Sequence, residues 1–80
     1  MSHRELVLRR EAAEPHGAIE CWYLFERANG TFWVEYTWLR PTIDHTSSVG
    51  SETVQPEQIF ENNDEELCKK LKAIIARRLA

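Results

Sequence analysis

Asp44 and His45 stand beside Ser47 and Ser48, the side-chain types of a nucleophilic triad: a hydroxyl, the imidazole that activates it and a carboxylate that orients the imidazole. Neighbours in one loop seldom reach that geometry, because triads are assembled from separate segments, so the run reads as a solvated polar turn. Cys21, Cys68, His3, His16 and His45 are the thiols and imidazoles a zinc site would draw on. None of them falls in the Cys-x-x-Cys or His-x3-5-His spacing that sets two ligands on one ion, and no metal or other cofactor is expected. Gly17, Gly30 and Gly50 stand alone, without the glycine-rich run whose backbone amides cradle a phosphate. Asn62-Asn63-Asp64-Glu65-Glu66 is acidic enough for calcium, yet it lacks the alternating oxygen ligands and central glycine of a calcium loop, and helix capping explains it better. With no reactive constellation and little room for an enclosed pocket, the chain is expected not to be an enzyme.

The elements that position these residues come from a chain of 80 residues, 42% hydrophobic and 29% charged, with a formal net charge of −3. One small domain spanning residues 1–80 is expected, since there is no room for a second core. No run approaches the roughly 18 apolar residues of a membrane-spanning helix, and charges occupy Met1 to Arg10 where a signal peptide would be apolar. The default compartment is therefore the cytoplasm, where Cys21 and Cys68 remain free thiols and the Asn29-Gly30-Thr31 acceptor pattern goes unmodified.

Two β-rich runs between Ala18 and Leu39 flank Asn29-Gly30, the strongest short hairpin signal, because both loop residues of a type I′ turn need positive φ. With Asn29 and Gly30 as the whole loop, Ala28 faces Thr31 and the pairs are Phe25 with Val34, Tyr23 with Tyr36, and Cys21 with Trp38. Alternation then gives Ile19, Cys21, Tyr23, Phe25, Phe32, Val34, Tyr36 and Trp38 one face, the core face. Glu20, Trp22, Leu24, Glu26, Trp33, Glu35, Thr37 and Leu39 share the other. A strand over Glu5–Arg10 precedes the hairpin, its inward face left open because Leu6 and Leu8 compete with Val7. Pro41 ends the third strand, and Thr42 to Glu52 reads as a loop with a short irregular edge strand around Val49 to Val54.

Pro56 opens a single helical turn through Phe60, and Asn62 or Asn63 caps the terminal helix, Asn63 with Glu66 making a capping-box pattern. Leu67, Cys68, Leu71, Ile74, Ile75 and Leu79 form its apolar stripe. Acidic Asp64, Glu65 and Glu66 at its start and basic Arg77 and Arg78 at its end complement the helix dipole. The predicted fold class is α+β: an antiparallel three- to four-stranded meander with one C-terminal helix packed on one face, β-β-β-(β)-α.

Function is then a matter of surfaces. Trp22, Leu24, Trp33 and Leu39 on the face the helix leaves uncovered form a large apolar patch, with Glu20, Glu26 and Glu35 among them to select a basic partner. The expected role is a non-enzymatic protein-binding or regulatory module using this acidic-aromatic face. In size, charge and architecture the chain is similar to phage-encoded inhibitors that occupy the basic sites of nucleic-acid-handling proteins. That resemblance implies Glu20, Glu26, Glu35, Glu11 and Glu14 as competitors for the target's Arg and Lys. An alternative is a homodimer through the same face or through edge strands, and another is a face covered internally by the N-terminal segment or the Thr42–Val54 loop. A weaker alternative is nucleic-acid binding through Lys69, Lys70 and Arg77 on the terminal helix. The β-β-β-α order with Lys69-Lys70 near the helix start is similar to the second half of a double-stranded-RNA-binding domain, although that family's first helix and basic loop are missing. The last twenty residues carry five positive charges against four negative, and the first sixty five against nine, so most of the surface repels a polyanion. No membrane partner is expected.

Overall fold

The computed structural model describes residues 4–11, 17–41 and 47–79. Strands β1 (Arg4–Glu11), β2 (Ile19–Glu26), β3 (Phe32–Pro41) and β4 (Ser47–Val54) are followed by helices α1 (Pro56–Glu61) and α2 (Glu65–Leu79). The strands make one antiparallel sheet in the order β1-β2-β3-β4. This is the α+β meander with a C-terminal helix that the sequence predicts. β4 departs from the loop expected there: from Ser47 to Val54 it is a regular strand paired along its length with β3, from Pro41↔Ser47 to Val34↔Val54. An edge strand needs no apolar face of its own; the hydrogen-bonded ladder from β3 and the β-branched Val49, Thr53 and Val54 suffice.

The turn between β2 and β3 sets the register, and it differs from the two-residue loop. Arg27 N–H donates to Thr31 O at 2.8 Å and Gly30 N–H to Arg27 O at 2.9 Å, leaving Ala28, Asn29 and Gly30 as a three-residue loop. Gly30 takes the positive φ, 85°, at the last loop position, where this hairpin type places a bulge. Asn29 Oδ1 accepts from the Thr31 amide at 3.1 Å and its hydroxyl at 2.7 Å, closing the turn locally. The one extra loop residue shifts the pairing by one, so Leu24 faces Val34, Trp22 faces Tyr36 and Phe25 faces Trp33. Because side chains alternate with period two, the shift carries all of β2 to the opposite face relative to β3. The core face is therefore Trp22 and Leu24 with Phe32, Val34 and Tyr36; Ile19, Cys21, Tyr23 and Phe25, expected inside, lie on the other side.

A bulge resolves the orientation of β1. Leu6 pairs with Tyr23 and Leu8 with Trp22, so Val7 is the extra residue, and both Val7 and Leu8 turn inward and are buried while Leu6 stays 49% exposed. Val7, Leu8, Trp22, Leu24, Val34, Ile59, Leu67 and Leu71 form the buried core. α2 lies along β1 and α1 against β3, both on the same side of the sheet.

Pro56 at the first helical position of α1 is buried with Ile59, and the Gln55 amide donates to Gln58 Oε1 at 2.8 Å. The cap of α2 is Asp64, one residue beyond the asparagines expected to serve: its Oδ1 accepts from the Leu67 amide at 3.2 Å. A carboxylate suits the place better than an amide, because Arg10 on β1 reaches the same group through two hydrogen bonds, at 2.8 and 3.2 Å. At the other end Arg77 and Arg78 bind Glu5, and Arg78 also lies 3.5 Å from Glu26. Leu79, expected in the apolar stripe, is exposed.

Candidate functional site

The face of the sheet opposite the helices is the candidate site. Strand register places Arg4, Leu6, Arg9 and Glu11 of β1 on it beside Phe25, Tyr23, Cys21 and Ile19 of β2, then Trp33, Glu35, Thr37 and Leu39 of β3, and Thr53, Ser51 and Val49 of β4. No described element lies over this face. Its apolar side chains are half-buried by one another, apart from Leu6 and Val49, which is 73% exposed.

The aromatic rings here are engaged with each other and with arginines. Phe25 and Trp33 stack with centroids 4.3 Å apart and 13° between planes. The Arg4 guanidinium lies 4.5 Å over the Tyr23 ring and 4.0 Å from Glu35, and Arg27 sits 6.0 Å over Trp33. The adjacent Cys21 thiol, and then partial burial, push the Tyr23 hydroxyl above its usual range. Each of these rings thus has at least one face covered by a neighbouring ring or guanidinium.

The predicted site residues divide between the two sides of the sheet. Trp33, Glu35 and Leu39 are on the open face, half-buried. Trp22, 9% exposed, and Leu24, at 0%, are core residues under the helices, and their expected surface role is corrected by the one-residue shift. Glu20 and Glu26 go with them: Glu20 accepts a hydrogen bond from the Tyr36 hydroxyl and Glu26 faces Arg78. Burial, then this bond to Glu20, raise the Tyr36 hydroxyl above its ordinary range. The acidic cluster expected to select a basic partner is thus not assembled on one face. Of the N-terminal segment and the Thr42–Val54 loop expected to cover this face, the described parts, Arg4–Glu11 and Ser47–Val54, lie in the sheet as β1 and β4, and residues 1–3 and 42–46 lie outside the described residues. Tyr23, Phe25, Cys21 and Leu6 are the surface residues missed; the signal for them was Ala28, which lengthens the loop by one and reverses β2.

Other candidates fall elsewhere. Lys69 and Lys70 are exposed on α2 along a shallow groove shared with Glu65, Glu66 and Ala73, whereas Arg77 is spent on Glu5. Lys72 lies 5.3 Å over Phe60. His3, Glu14, His16, Asp44 and His45 lie outside the described residues; Ser48 is exposed on β4. Cys21 and Cys68 are free thiols on opposite sides of the sheet, Cys68 donating to Ile59 O at 3.1 Å. Among the described residues no three His, Cys, Asp or Glu side chains gather as metal ligands. None of the described helices is long and apolar enough to cross a membrane. Comparison with protein-family models, curated proteins and solved structures finds no match to this chain.

Proposed function

We propose that the chain is a non-enzymatic protein-binding module whose contact surface is the open face of its sheet. One observation carries the reading: a four-stranded sheet bears large apolar side chains on both faces, and the described helices cover only one of them. A sheet face bearing Leu6, Tyr23, Phe25, Trp33 and Leu39 normally requires a second layer. Trp33 and Tyr23, large rings rigidly held by Phe25 and Arg4, are the side chains that dominate protein interfaces when buried by a partner. The narrower reading, inhibition of a basic target by acidic mimicry, loses the charge pattern that motivated it once Glu20 and Glu26 turn to the helix side. Binding of nucleic acid by α2 is disfavoured for the same kind of reason, with Glu65 and Glu66 flanking Lys69 and Lys70.

A photo-crosslinking amino acid placed at Trp33, with a control at Lys69, tests the proposal in living cells. Protein adducts formed from position 33 and not from position 69 are expected; equal or absent adducts at both positions would refute a contact surface on this face.

A further inference from the structure

We infer that the partner of the open face is a second copy of this chain, the two sheets packing face to face with the helices outermost. The inference rests on reading that face as a protein-contact surface, and charge, area and layer architecture select the occupant. The face carries Arg4, Arg9 and Arg27 against Glu11 and Glu35, so it is close to neutral although the chain is not. A strongly charged partner gains little there, and a second copy sets only one net positive charge against another, with Arg4 paired to Glu35 and Arg9 to Glu11 within each chain. Four strands about 4.8 Å apart and eight residues long at about 3.3 Å each give a footprint of about 500 Å² per copy. Two copies close over about 1,000 Å² before side-chain relief is counted, which reaches the lower edge of specific interfaces, where weak and reversible complexes lie. Two twisted sheets with apolar faces pack in alignment about 10 Å apart, which converts each incomplete two-layer unit into half of a four-layer α-β-β-α body.

Cys21 reports on the contact, because it stands near the centre of the face, half-buried, between Arg9 and Thr37. In a Cys68→Ser background, light scattering and alkylation of Cys21 are followed together from about 1 to about 300 μM, the range that brackets a micromolar equilibrium. The expected result is a mass rising from one copy to two while Cys21 alkylation slows about tenfold. Thr37→Arg, a charge set in the middle of the face, holds the protein at one copy with Cys21 reactive throughout. If that variant loses its circular dichroism, Val49→Arg at the rim replaces it, since Val49 is already exposed. A dimer that leaves Cys21 reactive, or survives both substitutions, would place the contact elsewhere and overturn the inference. A protein of one-copy mass throughout would overturn it as well. Position-33 adducts with a different protein would then preserve the contact surface while removing the second copy, and the absence of any adduct would remove both.

Discussion

Leu24 and Trp33 are both large apolar side chains on central strands, and the register gives them opposite surroundings. Leu24 is 0% exposed under the helices, so Leu24→Ala leaves a cavity there and is expected to cost about 3 kcal/mol in urea unfolding. Trp33→Ala removes only a half-covered stack on Phe25 and is expected to cost about 1 kcal/mol. Similar losses at the two positions would contradict the observed pairing. Gly50 illustrates another single-residue constraint: it faces Trp38 across the ladder, and a Cβ at position 50 would collide with the indole lying over it. Trp38 continues the aromatic row Trp22–Tyr36–Trp38, with centroid spacings of 5.1 and 5.3 Å, and Arg40 caps it at 5.8 Å. Gly50→Val should therefore displace the ring, costing about 1–3 kcal/mol and red-shifting tryptophan emission.

At the scale of elements, the loop and the α2 cap each lend themselves to a decisive change. Deleting Ala28 leaves Asn29-Gly30 as a two-residue loop between Arg27 and Thr31, which are already opposite each other. Since Asn-Gly suits the type I′ turn, the deletion should keep the register and change stability by under about 1 kcal/mol, with the amide spectrum altered only near the turn. Loss of the folded spectrum would show that the bulge itself is required. At the cap, the Arg10 guanidinium bonded to Asp64 holds that carboxyl below its ordinary range, and Arg78 with Arg77 does the same for Glu5. Groups depressed in the folded state stabilise it above their unfolded values of about 4, and the contribution disappears as pH falls through the lower folded values. The melting temperature should hold above about pH 5 and fall below about pH 4. Asp64→Asn retains a capping oxygen but no charge, so it should cost under about 1 kcal/mol at neutral pH and flatten the acid slope. An acid slope unchanged in that variant would assign the pH dependence to other carboxylates.

For the molecule as a whole, the distribution of apolar surface matters more than the net charge of −3. Acidic residues that would colour a surface are consumed on the helix side, Glu5 and Glu26 by the arginines of α2 and Asp64 and Glu66 by Arg10. What remains on the other side is a nearly neutral face with large apolar side chains, and the dimer proposed for it would draw on burial and not on long-range attraction. Dimerisation measured by sedimentation should accordingly change by less than about threefold between about 50 and 500 mM salt. A tenfold or larger weakening would mark an electrostatic interface instead.

The element order was legible from the chain alone. Asn29-Gly30 between β-rich runs, Pro56 before a helical turn, and the stripe Leu67, Leu71, Ile74 and Ile75 specify a meander with a C-terminal helix through local turn chemistry and periodicity. So too was the presence of large apolar side chains on both faces, since β2 alternates Ile19-Cys21-Tyr23-Phe25 with Glu20-Trp22-Leu24-Glu26. That double apolar character is also why the choice of face was not legible: when both faces of a strand can be buried, alternation carries no information about which one is. Tertiary structure settled it through the three-residue loop, the bulge at Val7 and the pairing of Arg10 and Arg78 with Asp64 and Glu26. These act across distant segments, and only their joint satisfaction puts Leu24 inside and Tyr23, Phe25 and Trp33 on the surface that remains open.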